Sequence, residues 1–393
     1  MHTKRNLRAV IMACAIIWRL TNPALGGQTL GTPVFGVVPG TAQINLINCD
    51  IPYFVYVVQT SSNLQDWVSV ATNSAVPSGS PVTVPATNAT CFYRLMSRRW
   101  PLVPRYGYAI VTTSSINLNG NNCAVDSFDS SNPLYSTNGQ YSSMLRKANG
   151  DVATDAGLVG DISIGIAHIY GHLYTGPGTA LSTVQIGYQV GYGYQGAVGD
   201  LAWNAAHTGI ESNYWSTNFN MSLPDVAAPT GFGMGLPAAT NGHIILPGGN
   251  YTTTVGPTVP LVITGPTTLW VQGSFTPGGI TIATSNNAYL VLYVGTTNKN
   301  GFDSLTIAGN GPLNQPGYAV NLDIMGLPSL TSVSFSGNAG FVGCIYAPEA
   351  ALSGSGGGNN TLDTMGSMIV KSVTLHSRCN FHYDEALKEG PNF

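Results

Sequence analysis

Short runs that alternate apolar with small or polar residues dominate the chain from Gly107 onward, and Gly or Asn closes each run. The pattern is clearest at residues 332–337, 340–348 and 366–375. Alternation with a period of two predicts β-strands, and the Gly and Asn punctuation predicts tight bends between them. This part of the chain is therefore predicted to be a set of short strands joined by sharp turns.

The same unit recurs at residues 261–265, 305–309 and 333–337, each time as a β-prone run that ends in Gly. Stacked turns of chain can bury an inner column of Val, Ile and Leu that no single turn could hide. The spacing is irregular, so we predict an imperfect parallel β-helix or solenoid over residues 107–390. A two-sheet sandwich is the alternative architecture.

A separate small β-domain is predicted at residues 28–96. Residues 53–59 make a strong strand, with shorter ones around it. Trp67 is interpreted as a core residue, because a domain this small needs large aromatic side chains to bury enough surface. An exposed Trp67 that binds carbohydrate is the alternative. Two prolines and three arginines mark residues 97–106 as a linker.

The N-terminus has the pattern of a signal peptide over residues 1–26. Lys4, Arg5 and Arg8 precede an apolar run, and small residues follow near residue 26. Without this segment the chain has 10 basic and 17 acidic residues, a net charge of −7. We therefore expect an exported protein with no transmembrane segment in its mature part and no affinity for nucleic acid.

Charged residues are only 8% of the chain, against about 25% in ordinary soluble domains, which suits secreted β-structure. Export also makes disulfides plausible. Cys49 and Cys91 flank the small domain and are predicted to pair. Cys344 and Cys379 allow two interpretations, a second disulfide or buried thiols. Cys123 has no assigned partner.

The long β-region contains two notable motifs. One is Gly-Cys-Ile-Tyr-Ala-Pro at 343–348 with the ending His-Tyr-Asp-Glu-Ala-Leu at 382–387, and the other is Val-Asp-Ser-Phe-Asp-Ser-Ser-Asn at 125–132. Both resemble motifs of a family of uncharacterised bacterial surface proteins that are often associated with pilus-assembly genes. The resemblance implies an extracytoplasmic β-solenoid and brings no catalytic residues.

The small domain carries a second resemblance. Ser-Asn-Leu-Gln-Asp-Trp at 62–67 and Phe-Tyr-Arg-Leu at 92–95 resemble a module of exported proteins from Verrucomicrobia. This resemblance implies an immunoglobulin-like sandwich.

Asp126 and Asp129 are the strongest candidates for catalysis, because β-helix enzymes that cleave polysaccharides use paired carboxylates as acid and base. Small polar neighbours favour a different interpretation, in which both are turn residues whose carboxylates accept backbone N–H groups. His168 and His172 are weak candidates for a metal site, since a strand would separate them by about 13 Å. No cofactor site is predicted.

The C-terminus is predicted to be a short helix, capped by Asp384, that shields the last strand from edge-to-edge association. Taken together, the sequence predicts an exported, non-catalytic surface protein with a role in adhesion, cell-surface architecture or pilus function. Its partners would be surface polysaccharide or envelope proteins. A carbohydrate-active β-helix enzyme, either a polysaccharide lyase or a hydrolase, is the alternative.

Overall fold

The structure, a computed structural model, describes six strands before residue 100 and most of the chain from residue 106 to 389. Within the latter it omits residues 120–122, 158–160, 190–192, 195, 222, 285–287, 309–312, 338–339, 357–360 and 377. The chain divides into two compact units, residues 1–103 with 391–393 and residues 104–390. Strands form both units, which confirms the predicted all-β class.

The described part of the first unit consists of two antiparallel three-stranded sheets. Its strands are β1 (Val34–Val37), β2 (Gln43–Ile47), β3 (Phe54–Ser61), β4 (Val68–Ser74), β5 (Ser80–Thr83) and β6 (Phe92–Arg99). One sheet has the order β1-β2-β5 and the other β4-β3-β6. Strand β6 continues through the first three residues of the predicted linker. Trp67, Cys49 and Cys91 lie outside the described residues.

The second unit contains 25 short strands among its described residues. The strands up to residue 216 are β7 (Ile110–Thr112), β8 (Ile116–Asn117), β9 (Ala124–Phe128), β10 (Val152–Thr154), β11 (Ile162–Gly165), β12 (His168–Tyr170), β13 (Leu173–Tyr174), β14 (Gln185–Ile186), β15 (Tyr188–Gln189), β16 (Gly193–Tyr194), β17 (Ala197–Gly199), β18 (Gly209–Ile210) and β19 (Trp215–Ser216).

The later strands are β20 (Ile244–Leu246), β21 (Gly249–Thr253), β22 (Leu261–Ile263), β23 (Pro266–Val271), β24 (Ile280–Ile282), β25 (Tyr289–Val294), β26 (Asp303–Ile307), β27 (Leu322–Gly326), β28 (Leu330–Gly337), β29 (Phe341–Gly356), β30 (Leu362–Leu375) and β31 (Cys379–Asp384). The α-helix α1 covers Leu201–Ala206, and 3₁₀ turns cover Ser143–Leu145, Leu181–Thr183, Ala319–Asn321 and Glu385–Glu389.

Apart from the antiparallel pair β15–β16, the strands of the second unit pair in parallel and fall into three columns. Column A is the series β21, β23, β25, β27, β29, β30, β7, β10, β13 and β19. Column B is β26, β28, β29, β30, β8, β11 and β14. Column C begins with β20, β22 and β24, passes through Leu313, and continues with β29, β30, β31, β9, β12, β17 and β18.

The order of the columns shows that the stack is assembled from two pieces of chain that meet in its middle. Strand β31, near the C-terminus, supplies column C of the layer in which β7 and β8 supply columns A and B. The boundary between the two pieces is called the joint. The inner ladder of column A, a row of buried side chains in register, crosses the joint without a break and includes Ile345, Met368, Ile110 and Val152. Apolar burial is thus continuous over both pieces.

Glycine occupies the bend between columns C and A in successive layers. Gly366 has φ of +130°, and a Cβ there would overlap the carbonyl oxygen of Gly343 in the layer below. Gly171 and Gly150 repeat the arrangement beyond the joint, where a Cβ on Gly171 would lie 2.7 Å from the Gly150 carbonyl carbon. The glycine punctuation of the sequence therefore reflects close backbone contact at one corner of the stack.

A crossing segment, residues 217–243, connects the two ends of the stack. Near one end, the Phe219 N–H donates to the Thr175 carbonyl oxygen at 3.0 Å. Tyr346 donates its hydroxyl to the Pro224 carbonyl oxygen at 2.7 Å farther along. Thr252 N–H reaches the carbonyl oxygen of Met234 at 2.9 Å at the other end. The segment therefore contacts column A or its immediate flank near both ends of the stack and at one point between them.

The prediction that the C-terminal helix shields an exposed last strand was wrong. The helix is a 3₁₀ turn, and β31 is paired on both sides, with β30 and with β9. A terminal strand needs no cap when a strand from the start of the unit covers it. In the described part of the chain, every helix falls short of the length and hydropathy that a membrane span requires.

Candidate functional site

The opening motif, residues 125–132, and the closing motif, residues 382–387, lie side by side. In the pairing of β9 with β31, Asp126 is opposite His382 and Phe128 is opposite Asp384. The residues are about 256 positions apart in the chain. The closure of the second unit upon itself thus brings Asp126 and Asp129 close to His382, Asp384 and Glu385.

Asp126 and His382 form a buried ion pair at this joint. The Nδ1 atom of His382 lies 2.6 Å from Oδ1 of Asp126, and their side chains are 5% and 1% exposed. Tyr141 donates its hydroxyl to Oδ2 of Asp126 at 2.7 Å. The guanidinium of Arg146 lies 4.0 Å from the same oxygen. Both carboxylate oxygens are therefore engaged inside the protein.

A second carboxylate flanks the imidazole from the other side. Asp363, on β30, places Oδ1 3.6 Å from Nε2 of His382 and accepts a hydrogen bond from the Asn380 amide at 2.9 Å. The ring of Tyr141 stacks on the imidazole, with centroids 3.5 Å apart and planes inclined by 20°. The imidazole thus lies between two carboxylates and beneath an aromatic ring.

Charge pairing decides the protonation of this cluster. Burial by itself lowers the pKa of His382, but the hydrogen bonds and charges of Asp126 and Asp363 outweigh it and raise the pKa above its ordinary value. Burial opposes ionisation of Asp363 too, yet its contacts with His382 and Asn380 lower its pKa. Burial and the charge of Asp126 raise the pKa of the Tyr141 hydroxyl, which therefore stays a donor.

Glu385 anchors a second polar cluster at the same joint. It accepts hydrogen bonds from Ser127 and Asn149, each at 2.8 Å, and forms an ion pair with Lys147. The ammonium of Lys147 also lies 4.4 Å from the ring centre of Tyr135. These contacts fasten the loop over residues 129–150 to the C-terminal residues.

Asp384 performs a similar role next to this cluster. Its carboxylate accepts the backbone N–H of Ser130 at 3.0 Å and that of Ala386 at 3.2 Å. Burial raises the pKa of Asp384 despite these bonds. The predicted capping contact to the C-terminal turn is thus accompanied by a contact to the turn after β9.

The interpretation of Asp126 as a turn residue was wrong. Asp126 lies within β9, and its carboxylate contacts the His382 side chain, because the neighbouring strand β31 comes from the other end of the unit. The Tyr141 hydroxyl, 15 residues farther along the chain, donates to the other oxygen. Asp129 does lie in a turn, where its carboxylate accepts from the N–H and hydroxyl of Ser131 at 3.0 and 2.6 Å. The structure gives the two carboxylates separate roles and does not bring them together as an acid–base pair.

His168 and His172 belong to different columns, because the chain bends at Gly171 between them. His168 stacks against Tyr170, with ring centroids 6.1 Å apart. His172 places Nδ1 3.2 Å from Asp151 and stacks on Tyr214. Among the described residues, no group of three or more His, Cys, Asp or Glu side chains is arranged to hold a metal ion.

A disulfide between Cys344 and Cys379 does not form, and Cys344 is a free, buried thiol. In register with β30, Cys344 is opposite Ser367 whereas Cys379 is opposite Leu362. Five residues of strand span about 16 Å, and the Cα atoms of a disulfide must lie within about 7 Å. The predicted Cys49–Cys91 bond lies outside the described residues and stays a prediction.

Tyr141, Arg146 and Asp363 are parts of the cluster that the sequence reasoning missed. None lies in either motif, and Asp363 follows a Gly-rich turn in an unremarkable strand. The signal that the sequence offered was that the opening and the closing motif both carry ionisable residues. That signal becomes useful only if the two strands are known to be neighbours.

Comparison with models of protein families gives a match over part of this unit. Residues 238–390 match a domain of unknown function, DUF7305. The match starts just before β20 and includes the closing motif, so it covers the C-terminal of the two pieces of the stack. Neither the comparison with curated proteins nor that with solved structures gives a match.

Proposed function

We propose that the protein is an exported, non-catalytic surface protein whose second unit is a parallel β-solenoid. Residues 1–26 would direct export, and residues 28–96 would form an immunoglobulin-like module. The solenoid would act in adhesion, in cell-surface architecture or with a pilus, by presenting its flanks to polysaccharide or envelope proteins. Three columns of parallel strands, with a buried ladder in column A that continues through both pieces of the stack, support the solenoid interpretation.

The observation that supports the non-catalytic role is the set of contacts that Asp126 and His382 make inside the protein. Oδ1 of Asp126 and Nδ1 of His382 are occupied by their mutual contact across the joint, and Oδ2 of Asp126 accepts from Tyr141 in the same piece of chain. A general acid or base must instead be within reach of a substrate proton. The cluster is therefore interpreted as a clamp that closes the solenoid.

Cell fractionation tests the proposed location. The mature chain is expected in the envelope or medium, with an N-terminus near Gly27, and protease added to intact cells should degrade it. An uncleaved chain that stays in the cytoplasm would contradict the proposal.

A turnover assay tests the absence of catalysis separately. The purified chain and the Asp126→Asn and Asp129→Asn variants are incubated with a panel of polysaccharides, and new reducing ends and unsaturated products are measured. We expect no turnover by any of the three. Cleavage by the parent chain that is lost in either variant would favour the enzyme.

A further inference from the structure

The inner ladder of column A ends in a large, partly exposed apolar side chain at each end of the stack. Met234 is in register with Tyr251 at one end, and Trp215 is in register with Leu173 at the other. The nine ladder residues from Tyr251 to Leu173 are each at most 7% exposed. Met234, by contrast, is 42% exposed, and Trp215 is half-buried. Each end of the ladder thus presents apolar surface that a further layer of strands would bury.

Column C presents backbone groups for pairing at the same two ends. The residues on either side of Ile245 in β20 bond along β22, so the N–H and C=O of Ile245 point away from the stack. At the other end, the residues on either side of Ile210 in β18 bond to the β17 segment, and the Ile210 groups point outward in the same way. Within the described part of the chain, neither residue has a backbone partner on its outer side. Open edges of this kind are templates for pairing with another chain.

Both ends of the stack are poor in charge. Residues 226–298, which include β20 to β25, contain no Asp, Glu, Lys or Arg. At the other end, residues 201–224 contain one such residue, Glu211, whose carboxylate accepts the Asp200 N–H at 2.8 Å. Proteins usually protect solenoid ends and edge strands with polar or charged side chains. Neither end of this stack therefore carries a cluster of like charges that would repel a second copy.

The parallel strands give the stack a direction, which limits how a second copy can add to it. Contact between unlike ends keeps the strands parallel, whereas contact between like ends would oppose their directions. The joint already holds two pieces of this chain together in the first way. There β7 and β8 pair in parallel with β30, and β9 pairs in parallel with β31, so all three columns continue across the boundary.

We propose that the second unit binds a second copy of this chain head to tail. Strand β20 of one copy pairs with β18 of the next, and Met234 packs on Trp215, so that the inner ladder of column A continues from copy to copy. The contact is heterologous and leaves one free end on every copy, so it builds open chains and not closed dimers. Association is measured on the purified chain, so it is decided separately from the proposed location and surface role.

Sedimentation velocity of the purified full chain over a wide concentration range tests the association. We expect a series of oligomers whose mean size rises with concentration and does not stop at the dimer. Electron microscopy of the assemblies measures the rise per copy. The nine buried ladder residues with Met234 and Trp215 make eleven layers per copy. Neighbouring strands lie about 4.8 Å apart, so the rise should be about 50 Å.

Two variants block one end each. Met234→Lys and Trp215→Lys should each weaken association at least tenfold, because the contact would bury an unpaired charge. Mixed together, the two variants should form a one-to-one dimer, because each keeps one intact end. Phe302→Lys is the matched control, since it adds the same charge at an apolar residue that is 89% exposed elsewhere in the same unit. It should assemble as the parent does.

If Trp215→Lys lowers the thermal unfolding midpoint, Met234→Lys decides, because the Met234 side chain is the more exposed of the two. The proposal is overturned if the parent stays monomeric at every concentration, if it stops at a dimer, or if Phe302→Lys weakens association as much as Met234→Lys does. It is also overturned if a mixture of the two folded variants stays monomeric.

Discussion

Replacing Asp126 with Asn tests whether the buried pair holds the two pieces of the stack together. The amide has nearly the shape of the carboxylate but no charge. It would leave His382 with Asp363 as its only anionic partner, at 3.6 Å, and it would weaken the bond from the Tyr141 hydroxyl. The change is confined to the joint, because Asp126 is 1% exposed and pairs across β9 and β31.

The expected loss follows from these contacts. Hydrogen bonds to charged groups contribute about 1.5–3 kcal/mol, and removing one partner of a buried ion pair costs about 3–5 kcal/mol. His382 can limit the cost by releasing its proton, so we expect a loss of about 3 kcal/mol near pH 6. The unfolding entropy is about 2.1 cal/mol/K per residue, so for a unit that spans residues 104–390 the unfolding midpoint should fall by about 5 °C.

The pH dependence of the stability difference distinguishes the loss of an ion pair from the loss of packing contacts. His382 has a raised pKa in the fold, where Asp126, Asp363, Tyr141 and Arg146 face it. Its stabilising contribution is complete below the ordinary pKa of about 6.5 and is lost as the pH rises through the higher folded value. The difference between parent and variant should therefore be largest near pH 6 and shrink at alkaline pH. Calorimetric unfolding from pH 5 to 9 measures this.

Asp129→Asn is the matched control, because it removes the same charge from a turn. An Asn oxygen can still accept from Ser131. The free energy of unfolding should therefore change by no more than ordinary surface substitutions cause, about 0.5 kcal/mol. The reasoning is refuted if the two variants are equally stable, or if the loss in Asp126→Asn does not change with pH.

Three further predictions concern backbone and thiols. Gly366→Ala should lower the free energy of unfolding by several kcal/mol, because its Cβ would overlap a carbonyl oxygen. Gly178→Ala, at φ of +83° with open space around it, should cost about 1 kcal/mol of backbone strain. Chemical denaturation compares the two variants, and equal losses would contradict the close backbone contact at the bend between columns C and A. Burial raises the pKa of the Cys344 thiol, so maleimide should label it only after unfolding, and rapid labelling of the native chain would argue against its burial. A Cys49–Cys91 disulfide would close a loop of about 40 residues and contribute about 3–4 kcal/mol; non-reducing peptide mapping should find the linked peptides, and alkylated Cys49 in the oxidised protein would disprove the bond.

The sequence alone determined the all-β class and the glycine-terminated rhythm of the strands, because both depend on local chemistry. Alternation with a period of two indicates which side chains face inward. Gly366 lies where a Cβ atom would overlap the carbonyl oxygen of a neighbouring strand. Even the local turn at Asp129 was readable, since its carboxylate bonds two residues away. The charge-poor composition was likewise visible before any coordinates.

Only the tertiary structure decided which strands are neighbours, and the clamp depends on that. Asp126 looked like a turn residue because its sequence neighbours are small and polar, but its partner His382 comes from the other end of the unit. The same non-local pairing separated Cys344 from Cys379 and placed β31 in the middle of the stack. Parallel strands are joined by long crossover connections, so no local sequence pattern encodes the order of the strands in the stack. That order is selected by the long-range packing of the inner ladder.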